Sequence, residues 1–194
     1  MHSNFELYFI HIIKGEINTF PARVIRILLG CVAKIYSLVV ALRLFLYKHR
    51  IFRQEILGCT VISVGNITVG GTGKTPVTEM FARALEKGGR KVAVLSRGYK
   101  KKKKTFLKRI IKRKSFTHIP DVVSDGSTIL LTSNTAGDEP YMLARNLPNV
   151  VVIVDKNRVK AAEYAIKQFG VDTIVMDDGF QYLPLSRQYD IVLV

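Results

Sequence analysis

The chain has 194 residues, 48% of them hydrophobic, and carries 30 Lys and Arg against 15 Asp and Glu, a formal charge of +15. That length supports one domain with a real core, and the charge predicts acidic partners such as nucleic acid, an anionic membrane or a phosphorylated substrate. Two cysteines, Cys31 and Cys59, are too few for a disulfide framework or a zinc site. The charge is local. Ten of residues 100–114 are basic and none is acidic, residues 1–53 hold eight basic and two acidic residues, and the rest is nearly balanced.

Residues 20–50 predict a helix. Arg23, Arg26, Gly30, Lys34, Ser37 and Ala41 share one stripe, with Leu28, Val32, Ile35, Val39, Leu42 and Leu46 opposite. Such a basic amphipathic helix suits the membrane interface, although a helix packed on its own domain has a similar pattern. The longest uncharged run, between Lys34 and Arg43, is eight residues. That argues against a span, which needs about 20 predominantly apolar residues. No small-residue cleavage site marks a signal peptide. Residues 1–53 therefore read as a membrane-interface segment, and 54–194 as a separate α/β domain.

That domain opens with a strand from Cys59 to Asn66, a glycine-rich loop, and a helix over "TPVTEMFARALEKGG" that stops at Gly88-Gly89. A second strand covers "KVAVLSRGY". Strand, loop, helix and strand form a βαβ unit with parallel strands. Asp125-Gly126, between apolar runs, predicts a β-hairpin insertion. A short helix over "DEPYMLARNLP", a strand at 150–155, a helix closed by Gly170, a strand ending in "DDGFQ" and a final strand "DIVLV" complete the chain. The last strand has no helix behind it, which predicts either a fragment or a strand on a sheet edge. The fold class is α/β: a P-loop NTPase-type, mostly parallel sheet flanked by helices.

The loop "VGNITVGGTGKTP" carries the chemistry. Gly73, Lys74 and Thr75 fit the end of G-x-x-x-x-G-K-[ST], while Thr68 stands at the first glycine position. Gly70, Gly71 and Gly73 let the backbone wrap a phosphate closely. Lys74 can reach the β- and γ-phosphates of ATP, and the Thr75 hydroxyl can hold Mg²⁺. Asp177 and Asp178 end an apolar strand about a hundred residues later. This is the Walker B arrangement, which delivers a carboxylate to the magnesium shell. Asp138 and Glu139 in "AGDEP" read either as a helix cap with a favourable first-turn acid or as a further acidic site. Arg97 in "SRGY" could meet a phosphate or pair with a surface acid.

Together, "VGNITVGGTGKTP", "LSRGY", "AGDEP", "DKNRV" and "DDGFQ", in this order, resemble the lipid A 4′-kinases (tetraacyldisaccharide 4′-kinases) from about Ile62 to Val194. A Thr or Ser at the Thr68 position is that family's habit. The resemblance implies transfer of the ATP γ-phosphate to the 4′-hydroxyl of an acylated glucosamine disaccharide phosphate lipid, at the cytoplasmic face of a bacterial inner membrane. It implies that Thr68, Val69, Gly70, Gly71, Thr72, Gly73, Lys74 and Thr75 bind ATP. It further implies that Asp177, Asp178 and Gln181 belong to the Mg²⁺ group, that Glu139 lies near the metal, and that Asp138 is the base accepting the sugar hydroxyl proton. Family members also carry a C-terminal lobe, with a histidine supporting the base, that nothing here matches. Two other readings compete. In a ParA/MinD-like ATPase a signature lysine would precede Gly70, where Val69 stands. In a nucleic-acid-binding protein aromatic residues would be interleaved with the basic ones, yet residues 100–114 contain only Phe106. No nucleic-acid partner is therefore expected, and an anionic membrane surface accounts for both basic blocks.

Overall fold

The structure is a computed structural model and describes residues 4–67, 73–98 and 119–193. Loop residues Thr68, Val69, Gly70, Gly71 and Thr72, Tyr99 of "SRGY" and the basic run 100–114 lie outside the described residues. The chain divides into two compact units, Met1–Arg53 and Gln54–Val194.

The first unit is a pair of helices, α1 (Asn4–Lys14) and α2 (Phe20–Lys48). Gly15, at φ 84°, ends α1 in a left-handed turn. Pro21 pre-sets the helical φ in the first turn of α2. The Arg26 guanidinium donates to the Ile17 carbonyl at 2.9 Å and to Asn18 Oδ1 at 3.1 Å, tying α2 to the connecting loop. Helix α2 is continuous over 29 residues, about 44 Å at 1.5 Å per residue. Its most apolar 18-residue window has a mean hydropathy of 2.0 and none of it is buried. Leu29, Leu38 and Leu44 are exposed as well as Leu28, Val32, Ile35 and Val39, so the apolar surface is wider than the face read from the sequence. By length and composition this helix can cross a hydrocarbon core of about 30 Å. The short uncharged run argued against that, but a few charges dispersed over a long helix still leave one apolar stretch of sufficient length.

The second unit is a six-stranded sheet in the order β3-β4-β2-β5-β1-β6. Its strands are β1 (Thr60–Asn66), β2 (Val92–Ser96), β3 (Asp121–Asp125), β4 (Val151–Val154), β5 (Thr173–Asp177) and β6 (Tyr189–Leu193). All neighbours run parallel except β3 and β4. The helices are α3 (Lys74–Lys87), α4 (Ser133–Ala136), α5 (Asp138–Asn146) and α6 (Arg158–Phe169). Alternation along the strands creates two cores. Val64, Val92, Val94, Val152 and Val175 point to one face with Ala82 of α3 and Leu143 of α5. Val61, Ala93, Leu95, Ile153, Ile174 and Met176 point to the other, against Ala161, Ala162 and Ala165 of α6. Three alanines let α6 approach the sheet closely, and Gly170 at φ 63° closes that helix.

The expected hairpin is only half present. Asp125 Oδ1 accepts from the Ser127 and Thr128 amides at 2.8 and 2.7 Å and forms the turn. The return arm makes a single bridge, Ser124 to Ile129, while β3 pairs with β4 and becomes the antiparallel edge of the main sheet. Strand β6 is the outermost strand on the opposite side among the described residues.

Candidate nucleotide and metal site

Neighbouring strands β1 and β5 set the site. Their register pairs Val64 with Asp177, so the segment entering the glycine-rich loop leaves the sheet beside Asp177. Gly73 is the N-cap of α3 at φ 69°, ψ 26°. A Cβ there would meet nothing within 4 Å among the described residues, and the left-handed backbone itself calls for glycine. Lys74 follows at the first helical position. Its ammonium donates to Asn66 Oδ1 at 2.8 Å and lies 3.7 Å from Asp178 Oδ1. The ends of β1 and β5 and the start of α3 thus converge on one cation. Thr75, half-buried, stands beside it.

Asp177 is buried, and Thr78 Oγ1 donates to its Oδ1 at 3.1 Å. Burial pushes this carboxyl above the usual carboxylate range. The Thr78 hydrogen bond opposes the shift, Glu139 adds to it, Arg158 opposes it and Asp178 adds to it. Glu139 is thereby placed within electrostatic reach of Asp177 although 38 residues separate them in sequence. Asp178 is two-thirds exposed and sits at φ 52°, a left-handed conformation that Asp tolerates better than most residues. Gln181 is exposed just beyond. Asp138 and Glu139 are exposed in the first turn of α5, whose cap is Gly137 at φ 99°, ψ 158°. Asp138 is therefore a first-turn acid and not the cap itself, because a backbone of that kind is reserved for glycine. Ala136, two residues before Asp138, lies beside Gly98 at the end of β2: a Gly98 Cβ would fall 3.8 Å from its carbonyl oxygen. Arg97 is exposed and close enough to Arg158 to lower that guanidinium's affinity for its proton, after burial as the main cause. Among the described residues no group of three or more His, Cys, Asp or Glu converges as a metal cage.

The "DDGF" turn is packed as tightly as any part of the site. A Cβ on Gly179 would lie 2.3 Å from Ser63 Oγ, and one on Gly65 would lie 2.7 Å from the Phe180 ring. The Gly179 amide donates to the Val64 carbonyl at 3.1 Å, fastening the turn to β1. Sequence reasoning missed Asn66, Thr78 and Arg158. Arg158, almost wholly buried, donates to the carbonyls of Asp177 and Asp178 at 2.8 and 2.9 Å and lies over the Tyr182 ring at 5.6 Å. Asn157, the cap of α6, accepts from the Lys160 amide and from the Tyr182 hydroxyl. "DKNRV" is thus the segment that joins α6 to the carboxylates. The only signal of this was the motif itself.

A mostly parallel sheet with a Gly-Lys-Thr helix start after one strand and a buried aspartate ending its neighbour has the fold of the P-loop NTPases. The chain belongs to the tetraacyldisaccharide-1-P 4′-kinase family, whose model matches residues 25–194. It is 43% identical over 161 residues to a tetraacyldisaccharide 4′-kinase of Desulfotalea psychrophila, covering 83% of this chain and 42% of that protein. It is 39% identical over 194 residues to one of Halothermothrix orenii, covering 100% of this chain and 47% of that protein. A solved structure of LpxK from Aquifex aeolicus, described as an "apo" form in complex with ATP, matches with a TM-score of 0.73 and 32% identity, covering 88% of this chain and 49% of that one. The chain therefore spans about half the length of the relatives it matches.

Proposed function

We propose that this chain carries the nucleotide-binding half of a kinase that transfers the γ-phosphoryl group of ATP to the 4′-hydroxyl of tetraacyldisaccharide 1-phosphate in lipid A biosynthesis. One observation carries the reading. Lys74, at a helix start after β1, faces Asp178 across from a buried Asp177 on the adjacent strand, in a chain of this family. The ATP in the Aquifex aeolicus structure supports the choice of nucleotide.

In this reading the loop from Thr68 to Thr75 binds ATP. Backbone amides and the α3 dipole favour its phosphates, and Lys74 exchanges its contacts to Asn66 and Asp178 for phosphate oxygens. The residues fit a magnesium ion. Mg²⁺ is held by one or two carboxylates together with substrate phosphates and not by an all-protein cage, and a cation would relieve the crowding of Glu139 and Asp178 around Asp177. Thr75, Asp177, Asp178, Gln181 and Glu139 are the residues that would hold it. When bound, Mg²⁺ neutralises charge on the transferring phosphoryl group. Asp138 takes the proton of the 4′-hydroxyl as its oxygen forms a bond to the γ-phosphorus and the bond to the β-phosphate oxygen breaks, releasing ADP. The protein works at the cytoplasmic face of the inner membrane, where its lipid substrate lies. Helix α2 supplies the attachment, as an interfacial helix or as a span.

The test is transfer of label from γ-labelled ATP to the disaccharide lipid in mixed micelles, using the chain joined in frame to the C-terminal half of the Halothermothrix orenii relative. Label at the 4′ position is expected. ATP consumption with no label in the lipid would overturn the reading.

A further inference from the structure

The carboxylates sit on a turn whose four carbonyls, from Asp177 to Phe180, each accept from one of two guanidinium groups, that of Gly179 also from the Tyr182 amide at 2.9 Å. Arg158 takes the carbonyls of Asp177 and Asp178 at 2.8 and 2.9 Å. Arg187, ten residues beyond Asp177, takes the carbonyls of Gly179 and Phe180 with its Nη1 at 3.2 and 3.1 Å. The Arg187 side chain is only 14% exposed, and its Nε lies 3.4 Å from Asp190 Oδ1, which fixes it from the β6 side. Four consecutive carbonyls at the end of β5, where the ladder gives out, thus find charged donors. These come from two different elements, one from the start of α6 and one from the segment leading into β6.

A turn that only needed its backbone satisfied could use water, because Asp178 and Gln181 are exposed. Here the donors are largely buried arginines: the planar fork of Arg158 spans two adjacent carbonyls with Nη1 and Nη2, and Arg187 joins its two carbonyls through Nη1 to Asp190 through Nε, a fixed double linkage that a lysine's single ammonium cannot reproduce. We infer that Arg158 and Arg187 are positioning residues: together they lock the Asp177–Phe180 turn so that the Asp177 and Asp178 carboxylates meet a nucleotide-bound divalent cation in one orientation. The inference rests on the nucleotide reading above. Its physical basis is the demand of Mg²⁺ for near-ideal octahedral geometry, which makes ligand orientation decisive, and the general finding that groups orienting metal ligands matter nearly as much as the ligands. Arg187 also explains why the chain returns from the turn to β6 as it does. Ion-paired to Asp190 on β6, it couples the edge strand to the metal turn.

Mn²⁺ binding to the complete 194-residue chain in detergent micelles, followed by electron paramagnetic resonance with saturating ATP, tests the inference. ATP binding in EDTA and the thermal midpoint are measured beside it. Arg187→Lys should weaken Mn²⁺ about 10- to 100-fold while ATP binding in EDTA changes less than twofold. In an Asp178→Asn background the same substitution should have a smaller effect, since part of its action runs through that carboxylate. Arg158→Lys, made in parallel, should behave alike and covers the case in which Arg187→Lys does not fold. Either variant binding Mn²⁺ like the wild type, or a loss undiminished beside Asp178→Asn, would overturn the clamp. A lowered thermal midpoint with unchanged Mn²⁺ affinity would mark a merely structural role and refute it as well. A wild-type chain that bound no ATP at all would refute the nucleotide reading instead.

Discussion

Gly179→Ala tests the packing of the metal turn most sharply. The new Cβ would stand 2.3 Å from Ser63 Oγ, 2.9 Å from Met176 Cβ and 3.1 Å from Ser63 Cβ. Ser63 and Met176 are both fully buried on β1 and β5, so neither can swing aside. The turn must lift by about 1 Å to restore ordinary contact. That movement stretches the bond from the Gly179 amide to the Val64 carbonyl. Overpacking of this kind costs about 1–3 kcal/mol, and at about 2–4 °C per kcal/mol for a domain of this size the thermal midpoint should fall by roughly 2–12 °C. A second substitution checks the cause. Ser63→Gly removes two of the three close contacts, so the double variant should be more stable than the sum of the single effects predicts. The favourable coupling should be about 1 kcal/mol, within the range seen for residues in contact. Thermal denaturation of the four proteins in mild detergent gives the cycle. A Gly179→Ala midpoint equal to the wild type, or strictly additive effects, would refute the account of why glycine stands there.

Thr78→Val removes the donor that reaches the buried Asp177 carboxylate and should cost about 1.5–3 kcal/mol in urea unfolding at pH 8, with Thr78→Ser recovering most of it. Asp177→Asn probes the pH dependence. Burial raises the native carboxyl above the ordinary aspartate value of 3.8, so its favourable contribution is complete below that pH and is lost as the pH rises through the native value. The asparagine variant should therefore match the wild type near pH 3.5 and gain on it as the pH is raised. A constant difference across the range would contradict that sign. Deleting residues 1–53 should strongly reduce flotation of the protein with liposomes containing anionic lipid, leaving only the salt-sensitive part that the basic run 100–114 supports. Flotation unchanged by the deletion, at low and at high salt, would assign α2 to the fold of the protein and not to a membrane.

Much of the second unit was legible in the sequence because its signals are local. Apolar runs punctuated by glycine gave most strands and helices, and Gly73-Lys74-Thr75 after one strand with Asp177 after another pointed to the candidate site. What escaped depends on distance along the chain. The Asp125-Gly126 turn was visible, but the pairing of β3 with β4 across some thirty residues was not, and it turned an expected hairpin arm into a sheet edge. Thr78 meets Asp177 across 99 positions, and nothing in helical periodicity separates that threonine from an ordinary core-facing one. Arg158 was visible only as part of the motif "DKNRV", and Arg187 was not singled out. Their partners are carbonyls, which leave no mark in a sequence. Helix α1 was not foreseen as a separate element.

The central claim is that a Lys74 site binds ATP and that Asp138 acts on the acceptor and not on the nucleotide. Equilibrium titration of Mg²⁺·ATP against the wild-type chain, Lys74→Ala and Asp138→Ala tests it directly. Saturable binding by the wild type, a loss of at least tenfold in Lys74→Ala and an affinity within twofold of the wild type in Asp138→Ala are the predicted results. Equal affinity in Lys74→Ala and the wild type, or a loss in Asp138→Ala as large as that in Lys74→Ala, would contradict it.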